Sequence, residues 1–215
     1  MPNNASAVAI GKPAVSGGAL RAPLATVLPT DTTTALPAAF VPLGYISSDG
    51  VVESTSTDTN NIVAWGGDNV RTVQTSHEVT YAFTMIETNA ESTKAYYGDA
   101  NVTATAATPT AGNTLAIKVT SQELAHYVWD FEILDGIRKG RVVLPDGQVT
   151  ERGEVSYVDE DAVSYPVTVS AYPDATGVKA YIYWDDGKLS ALEDEARSAD
   201  GDINLAKEPK ETVNA

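Results

Sequence analysis

The run from Ser47 to Asn61 limits what this chain can become more than any other stretch. Its only apolar side chains are Val51 and Val52, set among Ser, Thr, Asp, Glu, Asn and Gly, so it cannot bury itself. An unstructured connection of about fifteen residues inside a compact domain is uncommon, and where one occurs it is functional or disordered. We therefore expect a long polar loop, or an extended hairpin, that becomes ordered against something else. Ile62, Val63, Ala64 and Trp65 follow as an apolar return. They end at Gly66-Gly67-Asp68, a turn signal where positive φ is available.

The sequence on either side reads as sheet. Val79, Tyr81, Phe83 and Met85 alternate with Glu78, Thr80, Ala82 and Thr84, the period-2 pattern of a half-buried strand. Tyr127, Trp129, Phe131 and Ile133 oppose Asp130 and Glu132 in a second strand, and Val163 to Ala171 gives a third. Leu115, Ile117 and Val119 form a shorter one, and Val178, Ala180, Ile182 and Trp184 form the last. Arg138–Leu144 and Gln148–Val158 read as separate strands around a Pro145-Asp146-Gly147 turn, the second polar on both faces through Thr150, Glu151, Arg152 and Glu154. Thr88 with Glu91 reads as a capping box opening a short helix that docks Tyr96 and Tyr97 on the sheet and ends at Gly98. Alone such a helix is marginal in water.

Residues 1–18, rich in Gly, Ser and Ala, read as a flexible arm, and residues 19–184 as one β domain. Residues 185–215, dominated by Asp and Glu, read as an acidic mobile tail. The fold class expected is mainly β: two packed antiparallel sheets, sandwich- or barrel-like, with one flanking short helix.

Charge and motifs exclude several functions. A formal net charge of −15 has the wrong sign for gripping DNA, which depends on Lys and Arg displacing counterions from phosphate. With no cysteine in the chain, disulfides and thiolate sites are ruled out. No basic, apolar leader precedes the domain and no segment approaches the ~20 apolar residues of a membrane helix. Phosphate-loop, zinc-protease and nucleophile-elbow motifs are absent, and His77 and His126 lie in different strands. Oxygen ligands between Asp200 and Glu211 match a calcium loop only superficially, because Leu205 stands where Gly is required. We expect no enzyme, no cofactor and no metal.

Five segments in order, GKPAVSGGALRAPLATVLPTD (11–31), AAFVPLGYISSDGV (38–51), NIVAWGGDNV (61–70), YYGDANV (96–102) and YPVTVSAYPD (165–174), resemble the major tail tube protein of long non-contractile bacteriophage tails, especially those of actinobacterial phages. The resemblance implies two packed sheets with a helix, six copies in a ring, and rings stacked into a tube through which double-stranded DNA passes without specific binding. It places the protein in the virion tail, assembled in the host cytoplasm, with itself, the tape measure protein, and the distal tail and tail terminator proteins as partners. Inter-ring contacts then fall on Asp49, Val51, Val52, Glu53, Ser54, Thr55, Thr57, Asp58 and Asn60, anchored by Ile62 and Trp65. Thr150, Glu151, Arg152 and Glu154 are the lumen candidates, where carboxylates would repel phosphate. The alternative is a β-sandwich binding module for carbohydrate or a receptor. Three tryptophans favour it, but Trp65 and Trp129 read better as core.

Overall fold

The structure, a computed structural model, describes residues 3, 8–14 and 17–188. The calcium-loop reading, and the acidic tail beyond residue 188, lie outside the described residues. In chain order the strands are β1 (Ala19–Pro23), β2 (Val41–Pro42), β3 (Ile46–Val63), β4 (Asn69–Met85), β5 (Val102–Thr105), β6 (Thr114–Ile117), β7 (His126–Asp135), β8 (Arg138–Arg152), β9 (Tyr165–Tyr172) and β10 (Tyr181–Asp185); the helix α1 (Ala90–Tyr97) follows β4. The chain is mainly β, with one large antiparallel sheet in the order β2-β1-β7-β8-β9-β4-β3, β10 lying beside β8, and a small sheet of β5 and β6.

The large sheet curls over its own core. Two strands separate β7 from β4 in the sheet order, so on a flat sheet they would lie about 14 Å apart at ~4.8 Å per strand. Instead Tyr81 of β4 stacks on Phe131 of β7 at 5.6 Å, and Phe83 meets Trp129 and Phe131 edge-on at 5.9 and 5.5 Å. Trp129, with Met85, Leu144 and Val169, is fully buried in this core. The alternations of Val79 to Met85 and Tyr165 to Ala171 both face it.

β8 makes the corner. One edge of it pairs with β10 along Lys139–Val143 and with β9 along Asp146–Arg152, and Pro145, which has no N–H to give, sits where the pairing changes hands. The expected turn at 145–147 is therefore wrong: one strand runs straight through. Gly147 serves packing there, since a Cβ would stand 2.6 Å from the Trp129 indole, whose Nε1–H donates to the Gly147 carbonyl at 3.0 Å. The regular strand also stops at Arg152, short of Val158. Gly153 passes Pro166 so closely that a Cβ would lie 2.8 Å from the ring.

The other face of β1, β7 and β8 holds a second cluster of Leu20, Ala22, Phe40, Val128 and Val143, covered by residues 24–40. Arg141 ties this cover down by donating to the carbonyls of Asp31 and Thr34 at 2.7 and 3.0 Å. Its guanidinium also bonds Glu132 at 2.6 Å and stands 3.7 Å from Asp130. Asp130 is wholly buried with neither carboxylate oxygen hydrogen-bonded. Burial, reinforced by Glu132 and only partly countered by Arg141, pushes its pKa up to about 7.

The helix begins one residue later than expected. Asn89, not Thr88, is the N-cap: its side chain accepts from the N–H groups of Glu91 and Ser92, both at 2.8 Å, and Ser92 Oγ accepts from the Asn89 N–H at 3.1 Å. Asn is among the strongest N-caps, and shifting the box by one frees Thr88 to meet the Tyr165 hydroxyl at 3.2 Å. Glu91 pairs instead with Lys94 at 2.6 Å and with Arg21 at 3.3 Å. Tyr96 and Tyr97 pack edge-on against Tyr165, and the Tyr96 hydroxyl donates to the Gly153 carbonyl at 2.5 Å. Residues 8–14 run along the end of β7, with Ala14 donating to the Glu132 carbonyl at 3.1 Å and Leu134 to the Lys12 carbonyl at 2.7 Å.

Candidate functional site

Of the two forms expected for the polar run 47–61, loop or extended hairpin, the structure has the hairpin. The run is nearly all of β3, which pairs with β4 from Ile46↔Met85 out to Val63↔Asn69. β-branched Thr favours the extended backbone, and the ladder with β4 satisfies the main chain, so the segment takes the strand conformation with almost nothing buried. Asn61 accepts from Thr72 Oγ1 at 2.8 Å, and Asp58 accepts from Ser76 Oγ at 2.9 Å, so polar side chains also stitch the two strands together.

β4 has a third-strand partner, β9, only along Thr80–Met85. Beyond Val79 the two strands are a ribbon in which residues 55–63 face residues 69–79. At ~3.3 Å per residue its nine-residue β3 side reaches roughly 30 Å past the body. Two-stranded ribbons are marginally stable at best on their own. Asp49, Val51, Val52 and Glu53 lie at its root, Ser54 at the margin of the body, and Thr55, Thr57, Asp58 and Asn60 along the shaft.

The tip reverses an expectation. The sequence reading makes Trp65 a core anchor with Ile62, yet Trp65 is 107% exposed, and Ile62, Val63 and Val70 are exposed beside it. The Gly66-Gly67 turn, with φ of +119° and +97°, puts Trp65 at the far end of the ribbon where the chain's own core cannot reach it. Trp65 therefore no longer weighs against a binding module, while Trp129 is core.

The root has its own geometry. Between Ile46↔Met85 and Val51↔Phe83 the register slips, so that residues 47–50 stand opposite Thr84 alone, with Gly50 at φ +70°. Such a bulge bends its strand and sets the direction in which it leaves the sheet. One side of this root forms a shallow groove of about 320 Å³ shared by Asp49 and Val52 with Glu151 and Arg152. The structure thus brings the arm root and part of the lumen-candidate strand together. Thr150, Glu151, Arg152 and Glu154 are all exposed, with Thr150 bonded to Ser170 at 2.7 Å and Arg152 over the Tyr96 ring.

The opposite side of the root opens into a larger groove of about 430 Å³, where Val51, Ile133, Ile182 and Trp184 surround the buried Tyr81 and Phe131. In the last strand, β10, Tyr181 and Tyr183 face the second cluster, while Ile182 and Trp184 face Tyr81 and Phe131 and stay 48% and 55% exposed. Burial and the nearby Glu53 carboxylate hold the Tyr81 hydroxyl above the ordinary phenol range.

Among the described residues no group of three or more acidic or His side chains is placed to hold a metal, and no helix is long and apolar enough to cross a membrane. His126 meets Asp146 at 2.6 Å, far along the sheet from His77 in the ribbon. The family model described as phage tail tube protein matches residues 1–191. No curated protein matches the chain.

Proposed function

The chain belongs to the phage tail tube protein family, and from that premise we propose that it assembles with itself into six-membered rings that stack into the tube of a long non-contractile tail and conduct the genome. The observation that carries this reading is the ribbon. A roughly 30 Å, two-faced polar arm ending in an uncovered tryptophan has no use within one subunit, and a heterologous contact that repeats without closing builds a filament. Around the ring, the margins of β3 and β10 that are unpaired among the described residues are edges that a neighbour can cover. The segment 150–154 faces the bore, where Glu151 and Glu154, backed by a chain charge of −15, keep phosphate from adhering. The tape measure, distal tail and tail terminator proteins meet the tube inside and at its ends, and assembly takes place in the host cytoplasm.

Replacing residues 56–78 with Asn-Gly joins the paired Thr55 and Val79 through a two-residue hairpin turn. The expected product is a soluble, folded subunit with an unchanged melting profile that forms no tubes in negative-stain microscopy, where the wild type does. Normal tubes from this variant would remove the arm from assembly. Glu151→Lys with Glu154→Lys should leave tubes intact and slow DNA ejection; unchanged ejection would take those residues out of the bore.

A further inference from the structure

Among the described residues, an exposed apolar surface lies at each end of the ribbon. At the tip, Trp65 stands clear with Ile62, Val63 and Val70. At the root, the 430 Å³ groove exposes Ile182 and Trp184 over Tyr81 and Phe131. We propose that the root groove of one subunit receives the Trp65 tip of a second copy of this chain, so that each ribbon plugs into the base of the next.

Three features match. The groove lies within the few hundred Å³ over which pockets bury a ligand the size of a large side chain and its neighbours. Charge is compatible: the groove carries Lys12, Glu53 and Glu132, the last paired with Arg141, and the tip carries Asp68 and Arg71, so each surface offers groups of both signs. Reach agrees as well. From the groove at Glu53 to Trp65 the extended chain spans roughly 40 Å at ~3.3 Å per residue. A compact chain of this length has a radius of gyration of only about 17 Å, so the tip clears its own body and meets another. A tip cannot turn back into its own groove, because the paired ribbon holds the two ends apart.

The inference rests on self-assembly and adds where the arm lands. It also fixes the axial repeat: with every tip in the next groove, subunits recur about every 40 Å along the ribbon direction.

The chain has no native cysteine, so introduced thiols report a single contact. Ala64→Cys keeps Trp65 in place at the tip, and Ser48→Cys sits on the groove rim. Mixed under polymerising conditions and treated with a short bis-maleimide, the two variants should yield a cross-linked dimer that neither gives alone. The thiol of the Ser48→Cys variant should react freely in the monomer and at least tenfold more slowly in the tube. Trp65→Ala should raise the concentration needed for polymerisation tenfold or more, as loss of a central aromatic anchor does, with Trp65→Phe between. Tubes that form without the cross-link overturn the inference and leave self-assembly standing. A groove-rim thiol already protected in the monomer overturns it too, because the groove is then filled by the subunit's own chain. If the wild type never polymerises, both the inference and the proposed function fall.

Discussion

The inner and outer halves of β4 are one continuous strand under two sets of physical conditions. From Val79 to Met85 it lies between β3 and β9, alternates buried with half-buried residues, and supplies Tyr81 and Phe83 to the aromatic core. From Asn69 to Glu78 it has β3 alone, and its side chains are mostly exposed on both faces. The contrast shows that strand formation and burial are separable. Backbone pairing and β-branched side chains extend the ladder, while the third strand decides where it can hold up a core. The outer half gains little from the body and is free to serve contacts outside it.

Two tryptophans make that contrast testable. Trp129→Ala empties a site under 2% exposed and should cost about 3–5 kcal/mol in denaturant unfolding, whereas Trp65→Ala should move subunit stability by no more than about 0.5 kcal/mol. Equal losses at both sites would mean that the tip is packed after all.

A second test probes the body through pH. Asp130 has its pKa raised to about 7 in the fold against 3.8 unfolded, so between those values the folded state holds a proton that the unfolded state has lost. Its contribution is fully present below about pH 4 and disappears as pH rises through 7, by at most about 4 kcal/mol. Asp130→Asn should flatten that decline and raise the melting temperature at pH 8, leaving the ribbon unaffected. Asp31 and Asp174, whose carboxylates are held low by hydrogen bonds from Thr34 and Tyr181 respectively, titrate well below this window. An unchanged slope in the variant would show that Asp130 is not the group responsible.

Within the body, the smallest effect expected is at the helix start. Asn89→Ala removes the cap and should cost about 1 kcal/mol. Thr88→Ala, which loses one part-buried hydroxyl contact to Tyr165, should cost less. The reverse order would restore Thr88 as the cap.

Much of this fold is legible where side chains alternate. Val79 to Met85, Trp129 with Phe131, and Tyr165 to Ala171 each announce their buried faces, because a core imposes period 2 on whatever packs against it. The ribbon shaft carries no such pattern, and its Thr/Ser content gives the only hint of strand. The 47–61 segment stands out in the sequence as exceptional, but loop and extended hairpin both stay open there, because the alternation rule detects burial and this strand has almost none. Trp65 misleads for a related reason: an indole in sequence looks like core, and only the Gly66-Gly67 turn at the end of a long ladder shows that it is too far out to pack. Pro145-Asp146-Gly147 looks like a turn by composition, whereas Pro145 marks a change of partner and Gly147 makes room for Trp129. Ile182 and Trp184 have the periodicity of a buried face and do lie over Tyr81 and Phe131, yet stay about half exposed, because β10 sits beside β8 at the rim of the core.

The ladder that joins the root to the tip also restricts how such a subunit can vary. Since neighbouring side chains along a strand point to opposite sides, one extra residue in each strand would turn the indole away from the groove proposed to receive it. Two would restore its direction and move it about 6.6 Å farther out. Viable lengths therefore form a discrete series, and the ribbon acts as a ruler graduated in dipeptides.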